Sequence, residues 1–283
     1  MSRSPVQPLL LDFQNVTVPR GNRYVLRRFN LQLRQGEHVA LLGPNGSGKS
    51  TLIKTITHEL HPLADAPSFR WEVLGKGCWD VTELRDHFGI VALDLLQHLS
   101  HEVTLREVTA EDMVLSGYFN SLGLWPHHRV TAAQRRHARS LLRLLDIAHL
   151  TRRPLSAMSS GEQRRTLIGR ALVHRPDALI LDEPTNSLDP GAAREFREVI
   201  GQLARSGKSL LLVTHHVADI IPEIERVILF KDGQVVADGP KQRLLTSARL
   251  SRLFGTRLRV HRVGANYELG ADGPSRRRRR PPG

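Results

Sequence analysis

The chain has 283 residues, 40% of them hydrophobic, with a mean hydropathy of −0.29 and a net charge of +13. That length supports one large domain or two small ones, and the absence of any membrane-length apolar run excludes a spanning helix. The single cysteine, Cys78, excludes a disulfide framework and a cysteine-rich metal site, and with no leader-like apolar stretch in Met1–Pro5 a cytoplasmic location is expected.

Residues 1–8 are polar and carry prolines, so a flexible arm is expected. Leu9 to Val18 reads as a strand ended by the turn cluster Pro19-Arg20-Gly21-Asn22, and Arg23 to Leu33 reads as a second strand. Gln35-Gly36-Glu37 then turns the chain into the short apolar strand His38-Val39-Ala40-Leu41-Leu42. Next comes Gly43-Pro44-Asn45-Gly46-Ser47-Gly48-Lys49-Ser50-Thr51, which fits G-x-x-x-x-G-K-[ST], a phosphate-binding loop. The helix that follows is expected to run to about His61-Pro62. Further strands are expected over Phe69–Leu74 and around Gly89-Ile90-Val91-Ala92.

From about residue 95 to 172 strand signals fade and helical spacing takes over, clearest in Leu141, Leu142, Leu144 and Leu145. An inserted helical subdomain is expected there, including a helix that starts near Gln163. Strands return over Ala178–Leu181, Leu210–Val213 and Val227–Phe230, with helices around 190–205 and 217–222 between them. Lys231-Asp232-Gly233-Gln234 reads as a hairpin turn into Val235-Val236-Ala237. The alternation implies an α/β fold with a mostly parallel sheet and helices on both faces. Residues 256–283 read as a basic extension, disordered from about Gly270 through the Arg276–Arg280 run. The basic clusters carry no interleaved aromatics, so no nucleic-acid partner is expected.

Two motifs carry chemistry beside the loop. Glycines let the loop aim successive N–H groups into one nest, the helix behind it adds its positive end, Lys49 is expected to reach the β/γ-phosphates and the Ser50 hydroxyl to ligate Mg²⁺. Leu181-Asp182-Glu183-Pro184 places two carboxylates at the carboxyl end of a buried strand, where ligands sit in α/β sheets. An aspartate there can hold Mg²⁺, and a glutamate one residue on can orient and deprotonate water. Met158-Ser159-Ser160-Gly161-Glu162-Gln163 offers small residues and amides at a helix start, and the same letters also fit a capping box.

In this order the three motifs make the chain resemble an ATP-binding cassette (ABC) ATPase over about residues 9–250. The resemblance implies an ABC ATPase domain over 9–255, with a P-loop NTPase core, an antiparallel β subdomain and the helical insertion at about 95–172. It implies that Gly43 to Thr51 bind ATP, that Ser50 and Asp182 hold Mg²⁺, and that Glu183 is the general base. Met158 to Glu162 matches the signature L-S-G-G-Q with Glu162 in place of the glutamine, so Ser159 and Gly161 would meet the γ-phosphate of a second copy bound head to tail. Ser187-Leu188-Asp189 matches the loop that communicates across that dimer. His215, in Val213-Thr214-His215, matches the switch histidine, and Tyr24 stands where the family stacks an aromatic on adenine. The family also places a glutamine after the strand Phe88–Val91; the expected position falls near Leu93, and the role is assigned to Gln97, the nearest glutamine.

With one cassette and no long coiled coil between loop and signature, the resemblance favours the ATP-hydrolysing subunit of a transporter. Its membrane permease subunits would be separate chains, and it would sit peripherally at the inner face of the cell membrane. The alternative is a soluble, non-transport ABC ATPase acting on a macromolecular partner.

Overall fold

The computed structural model describes residues 7–92 and 107–271. Gln97 and the Arg276–Arg280 run lie outside the described residues.

Two long strands open the chain, β1 (Leu9–Arg20) and β2 (Arg23–Arg34), paired antiparallel with β4 (Arg70–Val73) on the far side of β1. Pro19 and Arg20 belong to β1 rather than to the turn, because the hairpin closes tightly on Gly21 and Asn22 with Arg20 facing Arg23. Between them in sequence lie β3 (His38–Leu42) and α1 (Lys49–Ile56). The α1 helix stops well before His61: Thr57 Oγ1 donates to the Lys54 carbonyl, and His58 takes a left-handed φ of 58°, which ends the repeat. A short helix, α2 (Val81–His87), precedes β5 (Phe88–Ala92). The sequence reading passed over it, although Asp80 caps it by accepting from the backbone N–H of Thr82 and Glu83.

The helical region holds α3 (Ala110–Ser116), α4 (Ala132–Leu144) and α5 (Ser160–Leu172). The α5 helix starts at Ser160 rather than near Gln163, because Ser159 caps it. Then come β6 (Ala178–Asp182), α6 (Pro190–Arg205), β7 (Ser209–Thr214), β8 (Arg226–Lys231) and β9 (Gln234–Pro240). The 217–222 segment makes only a 3-10 turn at Val217–Asp219. Two short helices, α7 (Lys241–Leu244) and α8 (Ser247–Phe254), lead into a hairpin of β10 (Leu258–Val263) and β11 (Asn266–Ala271).

The main sheet has six strands in the order β5-β6-β7-β3-β8-β9, parallel except for β9. Strand side chains alternate between two cores. Val39, Leu41, Ile180, Leu211 and Val213 pack toward the antiparallel sheet and α1, whereas Ala40, Leu42, Leu179, Leu181, Leu210 and Leu212 pack toward the helices α3 to α6. Tyr267 of the terminal hairpin is buried in that second core, to which Leu250 and Leu253 also belong. No helix among the described residues is long and apolar enough to cross a membrane.

Candidate nucleotide site

The strand order brings the motif residues together. β7 lies between β3 and β6, so the phosphate loop leaves one neighbour, Glu183 leaves the other, and His215 follows the strand in the middle. The ladders continue past the strand ends, with Gly43 N donating to Thr214 O at 3.2 Å and Glu183 N to Val213 O at 2.8 Å. Separation in sequence is thereby converted into contact at the carboxyl edge of a parallel sheet.

The loop is built for close backbone approach. A Cβ on Gly43 would collide with the Phe230 carbonyl oxygen. Gly48, at a φ of 106°, stands at the start of α1 without any side-chain cap, so the first N–H groups of the helix face the loop. Lys49 is buried; its ammonium donates to the Gly43 carbonyl at 2.9 Å and the Pro44 carbonyl at 3.1 Å. It also lies 3.2 Å from Glu183 Oε1 as an ion pair, at an angle that leaves Oε1 without a hydrogen bond. The other carboxylate oxygen, Oε2, accepts from His215 Nδ1 at 2.5 Å and from His215 N at 3.3 Å. A carboxylate can only accept, so Nδ1 carries the proton of that bond and Nε2 faces away from it.

Asn45, Gly46, Gly48, Lys49, Ser50 and Thr51 line a cavity of about 460 Å³ together with Asp182, Glu183, Asn186, Arg20 and Val25. That volume suits a small polar ligand. One buried oxygen that lines this cavity, Glu183 Oε1, has no hydrogen-bond partner, as expected where a bound water or ligand supplies the missing group.

The family model described as ABC transporter matches residues 26–186, more than half of the chain. The chain belongs to the ABC transporter family. It is an ATP-binding cassette and an ATPase, the energy-supplying part of a transporter. The ABC transporter ATP-binding protein YlmA of Bacillus subtilis is 32% identical over 257 residues, covering 89% of this cassette and 93% of YlmA. Among solved structures, cbiO1 from Clostridium perfringens, part of the transporter complex cbiONQ, superposes with a TM-score of 0.71 at 24% identity, over 87% of this chain and 94% of that one. The dimeric post-hydrolysis cassette MJ0796, bound to ADP and Pi, superposes with a TM-score of 0.64 at 25% identity, over 81% and 98%.

The signature half of the cassette stands apart from this cavity. Ser159 and Ser160 are exposed, and no residue of 158–162 lines the phosphate cavity of the same chain. The capping-box reading holds: Ser159 Oγ accepts from Glu162 N at 3.3 Å while Glu162 Oε2 accepts from Ser159 N at 2.7 Å. The Ser159 N–H, as the largest cause, holds the Glu162 carboxyl below the usual carboxylate range, with Arg153 and Arg165 adding to the effect. Gly161 is buried, its Cα so close to α6 that a Cβ would meet Ala192 Cβ at 3.2 Å.

Tyr24 is 55% exposed on β2, paired with Pro19 and adjoining the cavity residue Val25. Among the described residues no three His, Cys, Asp or Glu side chains stand close enough to hold a metal ion. Ser50 and Asp182 nevertheless face one cavity, and two protein oxygens are what Mg²⁺ takes when phosphates and water complete its shell. The cavity residues Arg20, Val25 and Asn186 were missed by the sequence reading. Asn186 had a signal, lying between the Asp182-Glu183 pair and Ser187-Leu188-Asp189; Arg20 and Val25 had none, since only the β1–β2 hairpin brings them to the loop.

Proposed function

We propose that this cassette hydrolyses Mg²⁺-ATP as a head-to-tail homodimer and so powers movement of a substrate through separate transmembrane subunits. The reading rests on one observation: Lys49, Glu183 and His215 form a continuous polar chain over the phosphate loop. Its residues divide the work. The loop amides from Gly43 to Thr51, with Lys49, neutralise the phosphate oxygens; Ser50 and Asp182 hold Mg²⁺; Tyr24 stacks on adenine. Mg²⁺ supplies charge neutralisation at the phosphates. Glu183 orients and deprotonates the attacking water, and His215 steadies both Glu183 and the γ-phosphate.

The ion pair gives this arrangement a gate. Lys49 is 3.2 Å from Glu183 Oε1, so an arriving phosphate competes for the ammonium and releases that oxygen to a water.

Exposure of Ser159 and its absence from the cavity of its own chain support completion of the site by a second copy. The dimeric form of MJ0796 supports the same geometry. The family, and the lack of a spanning helix among the described residues, support separate membrane subunits. In that assembly the cassette is peripheral, at the inner face of the membrane. The Glu183→Gln variant tests the reading. It should bind ATP, run as a dimer on size exclusion, and turn over at least about 100-fold more slowly. Turnover near the wild-type rate would sink the assignment of Glu183.

A further inference from the structure

Glu183 and His215 leave different strands, and their 2.5 Å contact depends on holding two strand ends in register. One buried carboxylate bridges them. Thr185, two residues past Glu183, donates its hydroxyl to Asp219 Oδ1 at 2.5 Å; Thr214, the residue before His215, donates to Asp219 Oδ2 at 2.7 Å. Thr214 is 0% exposed and Asp219 2%. Thr214 Oγ1 also accepts from His216 N at 2.9 Å, so the backbone on both sides of His215 is held. The nearest guanidinium to Asp219, Arg197, is 4.0 Å away, so the two hydroxyls are the direct partners of this carboxylate.

The same turn is gripped from the opposite side. Arg164 lies on α5, the helix that Ser159 caps, and donates to the main-chain oxygens of Glu183 at 3.4 Å, Pro184 and Asn186. The turn it holds is strained, with Glu183 at a φ of 49° and Ser187 at 64°. Residues other than glycine adopt such a conformation only where the surrounding structure holds them in it. Burial, the larger cause, pulls the Arg164 guanidinium down to about 10, and the Asp219 charge opposes it. A charge buried at that cost and committed to the carbonyls of one turn holds that turn in a single shape. Neither Arg164 nor Asp219 lines the nucleotide cavity.

We propose that Asp219 and Arg164 are positioning residues for ATP hydrolysis. Asp219 locks the Glu183 turn to the strand end that carries His215, and Arg164 locks the same turn to the helix that carries Ser159. The proposal rests on the reading that Glu183 and His215 act on the attacking water. Hydrolysis needs that water aligned with the phosphate, and a misplacement of about 1 Å can cost on the order of 100-fold. Through Arg164, engagement of Ser159 by a second copy would be felt at Glu183 within the same chain.

The test uses the full chain carrying Thr185→Val, Thr185→Ser, Asp219→Asn or Arg164→Lys, each in wild-type and Glu183→Gln backgrounds. Thr185→Val deletes a hydroxyl at constant shape, Thr185→Ser keeps it, and Arg164→Lys keeps charge but loses the planar fork. Thr185→Val, Asp219→Asn and Arg164→Lys should each lower kcat by about 10- to 100-fold while KM for ATP moves by less than about threefold. Thr185→Ser should recover most of the rate. In the Glu183→Gln background these substitutions should lower turnover no further, because the geometry they hold no longer matters. Nucleotide affinity and the melting temperature are followed in parallel. A wild-type kcat for Thr185→Val, or a loss of affinity and melting temperature that is the same in both backgrounds, overturns the proposal. A normal rate for Glu183→Gln alone removes the reading beneath it, whereas an inert Glu183→Gln beside a fully active Thr185→Val removes only the proposal.

Discussion

Lys49 is buried and reaches two carbonyls and a carboxylate, while Ser159 is exposed and held by a single local capping box. Both are phosphate-reading residues in the proposed site, yet they are held by different forces. The loop half is wired into the sheet: the chain beyond β3 and beyond β6 continues to hydrogen-bond β7, and Phe230 of β8 presses against Gly43. The signature half is a helix start whose polar atoms satisfy one another within four residues. A half built into the core is preorganised before ATP arrives. A half built from local capping stands exposed and depends on another copy to give it a target.

The strongest challenge to this contrast is Lys49→Ala. Losing the buried ammonium should weaken ATP binding by more than about 100-fold in isothermal titration, since it leaves the phosphate charge and two carbonyls uncompensated. Retained tight binding would mean that the loop half is not the preorganised one. The next is Ser159→Arg, which blocks the exposed half without touching the core. Turnover should fall by about 10- to 100-fold while ATP affinity of the isolated chain stays within about twofold of wild type. A fall in affinity of the monomer would show that Ser159 acts in its own chain.

Smaller effects sharpen the picture. Tyr24→Ala should raise the ATP dissociation constant about five- to tenfold, the low end for base stacking because the ring is half in solvent. An unchanged constant would leave Tyr24 as a plain strand residue. Glu162→Ala should cost about 0.5–2 kcal/mol of stability, as loss of a capping box does. The same cost is lost gradually in acid. The folded carboxyl lies below its usual range, so its stabilisation is present above the unfolded pKa and disappears as pH falls through the lowered one. A melting curve for Glu162→Ala identical to wild type at neutral pH would show that the box holds nothing.

The readable parts of the chain were those with a local cause. Val39 to Leu42, Ala178 to Leu181 and Leu210 to Val213 are strands because an unbroken apolar run must be buried on both faces, and each alternates between the two cores as drawn. The helix over 190–205 was legible because Asp189 caps it and Pro190 opens it. The terminal hairpin was not legible. Its strand β10 exposes nearly every second residue or more, and what ties the hairpin down lies outside it: Tyr267 of β11 is buried in the second core, and the N–H groups of Leu258 and Val260 donate to the Ser251 and Ser247 hydroxyls. The short α2 helix escaped for the same reason, as Leu84 is its one buried residue.

Sequence alone determined the chemistry available to this protein. A glycine-rich loop ending in Lys49 and Ser50, adjacent carboxylates at 182 and 183 and a serine before a helix can be read from letters because each is made within a few residues. The tertiary structure decided which of those groups meet. His215 lies 32 residues from Glu183 and Arg164 lies 19 from it, and both contacts exist because β7 is inserted between β3 and β6 and α5 packs beneath the turn. No periodicity encodes a strand order. It is set by which apolar faces bury best together, and the positions of Glu183, His215 and Asp219 follow from that packing.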